Sequence, residues 1–138
     1  ALCFLQRVGM DKIMNYESQL YGYLLKKLKQ IPGIELYATE NPTCHVPFAA
    51  FNFKNISYRE LGESLGFDYG IAVAAGTAGA NIYVQDLLKL TNSEAYDLFR
   101  TGQNYGIVRV SIGLFNSFAD IDRLINSLKK IVFKHTSK

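Results

Sequence analysis

The sequence predicts an α+β fold in which a small antiparallel or mixed sheet is covered by helices. Helical and strand-like segments alternate along the chain, and strands that follow one another in sequence can pair directly. The helical segments are amphipathic, so they can cover a face of that sheet. With 138 residues, of which 49% are hydrophobic and 20% charged, the chain is long enough for one domain with its own core.

The first third of the chain predicts a long helical region followed by two strands. Residues 1–30 have apolar side chains at helical spacing, and Gly9 marks a joint within them. Pro32 and the glycine after it end this region. Residues 34–37 form a short strand candidate, and residues 44–53 form a second one with a proline near its start.

The middle of the chain predicts two helices separated by a short strand and a loop. Residues 57–60 (SYRE) form a capping box that opens a helix, which fades at Gly66. Residues 70–74 form a small apolar strand that leads into the glycine-bearing loop 76–79. Residues 80–90 then form the next helix.

The last third predicts a helix, a strand and a closing amphipathic helix. Capping boxes at residues 91–94 (TNSE) and 117–120 (SFAD) open the two helices. Between them, residues 107–112 alternate like a strand, with Val108 and Val110 on one face.

Composition and charge exclude several classes of function. The formal net charge is +3, but four lysines lie in the last ten residues, and the rest of the chain holds slightly more acidic than basic residues. We therefore expect no broad basic face for nucleic acid. Cys3 and Cys44 are too few for a disulfide framework or a zinc site. We therefore expect no metal site. No apolar run is long enough to span a membrane, and we expect a cytoplasmic protein.

Arg109 is the main candidate for ligand binding. It lies within an apolar strand, on the face opposite Val108 and Val110. A guanidinium at such a position is either exposed or ion-paired on the sheet surface, or it is directed at an anion. Its rigid, planar fork suits a carboxylate.

The loop that contains Gly76, Thr77 and Gly79 is a second candidate. Its backbone N–H groups could bind an anion, or its glycines could simply supply the conformations that a turn requires. No lysine or arginine lies between residues 73 and 86, which argues against binding of a phosphate backbone.

Two histidines are candidates of lower rank. Cys44 and His45 could act as nucleophile and base, but neighbours on a strand point to opposite faces, which favours a packed thiol and a surface imidazole. His135 lies in the basic end of the chain, where we expect it to be solvated.

Six segments, in order along the chain, point to a known family. They are residues 31–37 (IPGIELY), 51–53 (FNF), 70–76 (GIAVAAG), 81–88 (NIYVQDLL), 108–116 (VRVSIGLFN) and 120–125 (DIDRLI). Together they resemble the C-terminal small domain of class V aminotransferases. These are pyridoxal-phosphate enzymes of fold type I that include cysteine desulfurases and selenocysteine lyases.

This resemblance implies a role for the chain. Residues 1–138 would be a single C-terminal small domain, with residues 1–30 as its leading helix and Arg109 bound to the α-carboxylate of an amino-acid substrate. The large domain, whose lysine holds pyridoxal phosphate as a Schiff base, has no counterpart in these residues. The partners of this chain would be that large domain and the amino-acid substrate. Enzymes of this family are usually homodimers.

The sequence also departs from the family pattern. Ala74 stands where the related motif has an arginine, and Gly79 stands where desulfurases have the cysteine that carries the persulfide. Thr77 replaces a cysteine found in some relatives. We therefore assign no catalytic residue within the chain and expect it to be inactive by itself. The alternatives are a non-catalytic binding or regulatory module and an inactive fragment of the same fold.

Overall fold

A computed structural model describes residues 1–37 and 46–136. Within them the chain forms six helices and four strands, in the order that the sequence predicts. The helices are α1 (Leu2–Val8), α2 (Met10–Leu28), α3 (Tyr58–Phe67), α4 (Asn81–Leu87), α5 (Asn92–Arg100) and α6 (Phe118–Thr136). The strands are β1 (Ile34–Leu36), β2 (Phe48–Phe53), β3 (Ala74–Gly76) and β4 (Ile107–Ser111).

The four strands form one antiparallel sheet in the order β1-β2-β4-β3. The antiparallel α+β architecture is thereby confirmed. Strand β4 comes last in sequence but lies between β2 and β3, so its side chains have neighbours on both sides. A strand in this central position favours apolar residues such as valine, so a charged residue within it is unusual.

One face of the sheet carries the main core. Phe51 of β2 and Val108 of β4 are fully buried there. Helices α2, α3 and α6 cover this face with leucines such as Leu24, Leu65 and Leu128, which are also fully buried. Alternation along each strand therefore directs one set of side chains into the core and leaves the other face for a different use.

The opposite face is covered only in part. Ala50 and Ile107 form a small buried cluster there with Val84 of α4. The expectation that the helices cover one face needs this refinement, because α4 packs on the other side.

Strand β3 is shorter than predicted and begins later. The predicted strand at residues 70–74 overlaps it only at Ala74, where pairing with β4 starts. Before that point, the N–H of Ile71 donates to the carbonyl of Leu65 at 2.8 Å, so the backbone is hydrogen-bonded to the end of α3. Only residues 74–76 pair with β4.

Helix α4 also ends earlier than predicted. Lys89 adopts a left-handed conformation with φ +56°, and the N–H of Leu90 donates to the carbonyl of Gln85. This is a Schellman-type ending, which the sequence does not signal because a lysine takes the place usual for glycine.

Local signals in the sequence explain most of the other boundaries. Gly9 has φ +96° and joins α1 to α2, as predicted. The boxes of Thr91 with Glu94 and Ser117 with Asp120 are reciprocal, with side chain and backbone bonded in both directions. No helix in the part of the chain that the structure describes is long and apolar enough to cross a membrane.

Candidate functional site

Arg109 projects from the face of the sheet opposite the main core. In the strand register it lies directly between Ala50 of β2 and Ala74 of β3. Directly opposed residues in an antiparallel pair lie on the same face with their Cβ atoms close together. Two methyl groups therefore flank a long guanidinium side chain and leave open space beside it.

The guanidinium of Arg109 lies over an aromatic ring. Its central carbon lies 5.8 Å from the centroid of the Phe48 ring, within the range of a cation–π contact. The Nε atom is buried and has no hydrogen-bond partner among the described residues. Because a buried donor without an acceptor is costly, this N–H is available to a ligand that supplies one.

A cavity of about 380 Å³ lies beside Arg109, between the sheet and α4. This volume is in the range of small-molecule sites, roughly 300–1,000 Å³. Gly76 and Thr77 line the cavity together with Arg109, so the two regions singled out in the sequence meet at one site. Gly79 lies outside the lining.

The loop itself has the geometry of a turn that leads into a helix. Gly76 has φ +133°, Ala78 +50° and Gly79 +80°. The Thr77 hydroxyl donates to the side-chain oxygen of Asn81 at the start of α4. The glycines thus supply conformations that other residues rarely adopt.

Tyr37 and Phe48 also line the cavity, and sequence reasoning assigned neither of them to a site. The Tyr37 hydroxyl donates to Oε2 of Glu35 at 3.2 Å. Burial of the Tyr37 ring raises the pKa of its hydroxyl above 10.0, with a further contribution from the Glu35 charge. Alternation along β2 could have found Phe48, because it shares a face with Ala50 two residues later.

Other candidates from the sequence lie elsewhere. Cys44 and His45 lie outside the described residues. His135 is not simply solvated, because its ring bridges α6 and α3: Nε2 lies 2.8 Å from Oε1 of Glu60, and Nδ1 lies 2.9 Å from the carbonyl of Ile131. The expectation that His135 is simply solvated was therefore wrong.

The cavity offers one type of chemistry. Arg109 is the single charged side chain among its described lining residues, and no lysine is present among them. They therefore offer an anchor for a carboxylate but no amine that could form a Schiff base. No group of three or more His, Cys, Asp or Glu among the described residues could hold a metal ion.

Comparison with known proteins identifies relatives. Residues 1–124 match the family model described as aminotransferase class-V. The chain is 28% identical over 128 residues to a cysteine desulfurase of Wigglesworthia glossinidia brevipalpis, covering 93% of this chain and 27% of that protein. It is 30% identical to a cysteine desulfurase of Salmonella agona, covering 95% of this chain and 28% of the relative. The chain thus spans little more than a quarter of their length.

Solved structures share the fold. The cysteine desulfurase CsdA from Escherichia coli superposes with a TM-score of 0.77 at 19% identity, covering 97% of this chain and 29% of that one. The cystine C-S lyase C-DES, solved with its product cysteine persulfide, gives a TM-score of 0.65 at 15% identity over 93% of this chain and 26% of that one. At these identities the likeness concerns the fold.

Proposed function

Because the chain belongs to the class V aminotransferase family, whose members depend on pyridoxal phosphate, we propose that it is the C-terminal small domain of such an enzyme and binds its amino-acid substrate. Arg109 would hold the α-carboxylate of that substrate. The order of the family-like segments supports the C-terminal placement. The chain covers little more than a quarter of the length of these relatives, which supports a large domain as the partner that holds the rest of the enzyme.

The observation that carries this proposal is the state of the Arg109 guanidinium. Its Nε is buried and without a partner among the described residues, and its side chain lines the cavity between Ala50 and Ala74. Arginine binds a carboxylate through two parallel hydrogen bonds, and Nε–H with one terminal N–H forms such a pair. A carboxylate in the cavity would satisfy the buried donor and neutralise the charge.

The cofactor itself would be held outside the described cavity, since the lining offers no lysine. Pyridoxal phosphate supplies an electron sink for substrate carbanions in this class of enzymes. The contribution of this chain is to bind and orient the substrate through Arg109, and to exclude water with the apolar wall opposite it.

The loop at 76–79 does not supply a thiolate. The family resemblance implies the persulfide cysteine of desulfurases at Gly79 and a cysteine of some relatives at Thr77, but neither residue of this chain supplies the nucleophilic sulfur that a persulfide needs. We therefore propose a reaction that needs no persulfide on this loop: elimination, transamination or epimerisation. The same two residues, with Ala74, also favour the alternative of a non-catalytic module that binds a carboxylate ligand.

Binding of simple carboxylates tests the role of Arg109. Ligand-observed NMR titrations would compare propionate with its uncharged analogue propionamide on the protein as its source cell produces it. We expect Arg109→Gln to weaken propionate binding about 10- to 150-fold, equivalent to the roughly 1.5–3 kcal/mol of a hydrogen bond to a charged group. Propionamide should be unaffected.

Arg59→Gln is the matched control, because Arg59 is an exposed arginine on α3 away from the cavity. It should leave the affinity for propionate unchanged. Equal affinities of the natural protein and Arg109→Gln for propionate would remove Arg109 from the site. The intact mass of the natural protein tests the proposal that the chain is one domain of a larger enzyme. A mass near 15.5 kDa would favour the non-catalytic module.

A further inference from the structure

We propose that the cavity beside Arg109 selects a monocarboxylate with an uncharged, apolar side chain, such as an amino acid with an aliphatic or aromatic side chain, over an acid that carries a second carboxylate. This inference rests on the proposed function, because Arg109 has to hold the carboxylate. It goes further by naming the class of side chain that the rest of the cavity accepts.

Apart from Arg109, Thr77 and two tyrosines, the described lining residues of the cavity are apolar or glycine. Strands β2, β3 and β4 contribute Phe48, Ala50, Ala74 and Ile107, and α4 contributes Val84 and Leu87. Val84 and Ile107 are 2% and 8% exposed, so this wall is a packed surface. A ligand whose remainder is apolar would gain affinity in proportion to the area that it removes from water.

The hydroxyl groups in the lining leave little for a second polar group to bind. The Tyr37 hydroxyl donates to Glu35, and the Thr77 hydroxyl donates to Asn81. Tyr83 is 65% exposed, so its ring lies at the mouth of the cavity. A second charge on the ligand would lose its water without gaining a partner of opposite charge among the described lining residues.

Ala74 makes this selection specific to the chain. It lies directly opposite Arg109 in the register of β3 and β4 and presents a methyl group to the cavity. A second cation at this position would neutralise the far carboxylate of a diacid. With alanine there, a diacid has one guanidinium for two negative charges.

Three acids that share a short carboxylate stem test the selection. Ligand-observed NMR titrations of the natural protein would compare propionate, 3-phenylpropionate and glutarate. Propionate is the bare stem, 3-phenylpropionate carries an apolar ring, and glutarate carries a second carboxylate. We expect 3-phenylpropionate to bind about tenfold more tightly than either of the others, since the ring removes apolar surface from water.

Ala74→Arg should reverse this order in part. The variant adds a cation directly opposite Arg109, so the affinity for glutarate should rise while that for 3-phenylpropionate falls. Ala72→Arg is the matched control, because Ala72 is an exposed alanine two residues earlier that does not line the cavity. It should leave the ranking of the three acids unchanged.

The possible failures of the two proposals differ. If Arg109→Gln weakens binding of all three acids but the natural protein does not prefer 3-phenylpropionate, the selection is wrong and the role of Arg109 stands. If the acids bind but Arg109→Gln changes none of their affinities, the proposed function is wrong. Absence of 3-phenylpropionate binding at concentrations up to about 10 mM would overturn the selection as well.

Discussion

Gly106 lies against Gly76 so closely that a side chain at Gly106 has no room. A Cβ atom built there would stand 2.6 Å from the Cα of Gly76 and 2.9 Å from its carbonyl carbon. Gly76 pairs with Ile107 in the β3–β4 ladder and also lines the Arg109 cavity. Gly106 therefore helps to set the shape of the cavity without contributing an atom to its chemistry.

We predict that Gly106→Ala lowers the free energy of unfolding by about 1–3 kcal/mol, the usual cost of overpacking. The added methyl group would meet backbone atoms of Gly76, which cannot rotate away as a side chain can. The displacement should pass to the loop at residues 76–79 and weaken carboxylate binding. Chemical denaturation and the propionate titration measure the two effects.

Gly22→Ala is the control for this substitution. Gly22 lies within α2, and nothing would lie within 4 Å of a Cβ atom there. Alanine should therefore raise the free energy of unfolding by about 0.5–1 kcal/mol through its better helix propensity. Equal effects of the two substitutions would show that the contact with Gly76 has no role.

Much of the fold follows from local signals in the sequence. The capping boxes and the joint at Gly9 placed helix starts because their hydrogen bonds and dihedral angles depend on neighbouring residues. The ends of β3 and α4 were less predictable. Ile71 bonds to Leu65 at the end of α3 instead of joining the sheet, and Lys89 adopts a conformation that favours glycine, so neither boundary carries its usual sequence signal.

The candidate site was predictable only in part. Arg109 stands out because a cation within an apolar strand is unusual, and alternation placed it on the correct face. Its neighbours depend on which strands pair. Ala50 and Ala74 flank it because β4 lies between β2 and β3, an order that cannot be read along the chain. Tyr37 was missed for the same reason, whereas alternation along β2 does place Phe48 on the face of Ala50.

The contact between His135 and Glu60 should contribute to the packing of α6 on α3. The two side chains are 23% and 56% exposed, so solvent screens the interaction. We therefore predict a coupling of about 0.5–1 kcal/mol in a double-mutant cycle of His135→Ala and Glu60→Gln, measured by chemical denaturation. Lys130→Ala, at an exposed position of α6 that does not line the surface pocket shared by Glu60 and His135, should show no coupling to Glu60→Gln. Strictly additive effects of His135→Ala and Glu60→Gln would contradict the prediction.

Two capping carboxylates should make the fold sensitive to acid. Hydrogen bonds from the backbone and hydroxyl of Thr91 lower the pKa of Glu94 from 4.5, and those of Ser117 lower the pKa of Asp120 from 3.8. Because both pKa values are lower in the folded state, the stabilisation is present above these ordinary values and is lost as the pH falls through the folded ones.

The double variant Glu94→Gln/Asp120→Asn should therefore be less stable than the natural protein above pH 4.5, and the difference should shrink at lower pH. Denaturation curves across this pH range measure it. Glu63→Gln changes an exposed carboxylate of α3 outside both boxes and serves as the control. A stability difference that stays constant with pH would refute the role of the two charges.

Phe48 should act as a positioning residue for Arg109. The guanidinium lies over its ring, and such a contact contributes about 0.5–1 kcal/mol at a partly exposed site. We predict a coupling of this size between Phe48→Leu and Arg109→Gln in the free energy of unfolding, and a loss of propionate affinity of about two- to fivefold in Phe48→Leu alone. Phe48→Tyr keeps the aromatic face and should preserve both the coupling and the affinity. If the Phe48→Leu variant binds propionate as tightly as the Phe48→Tyr variant does, the ring does not hold the guanidinium. The two alanines beside Arg109 would then suffice to orient it.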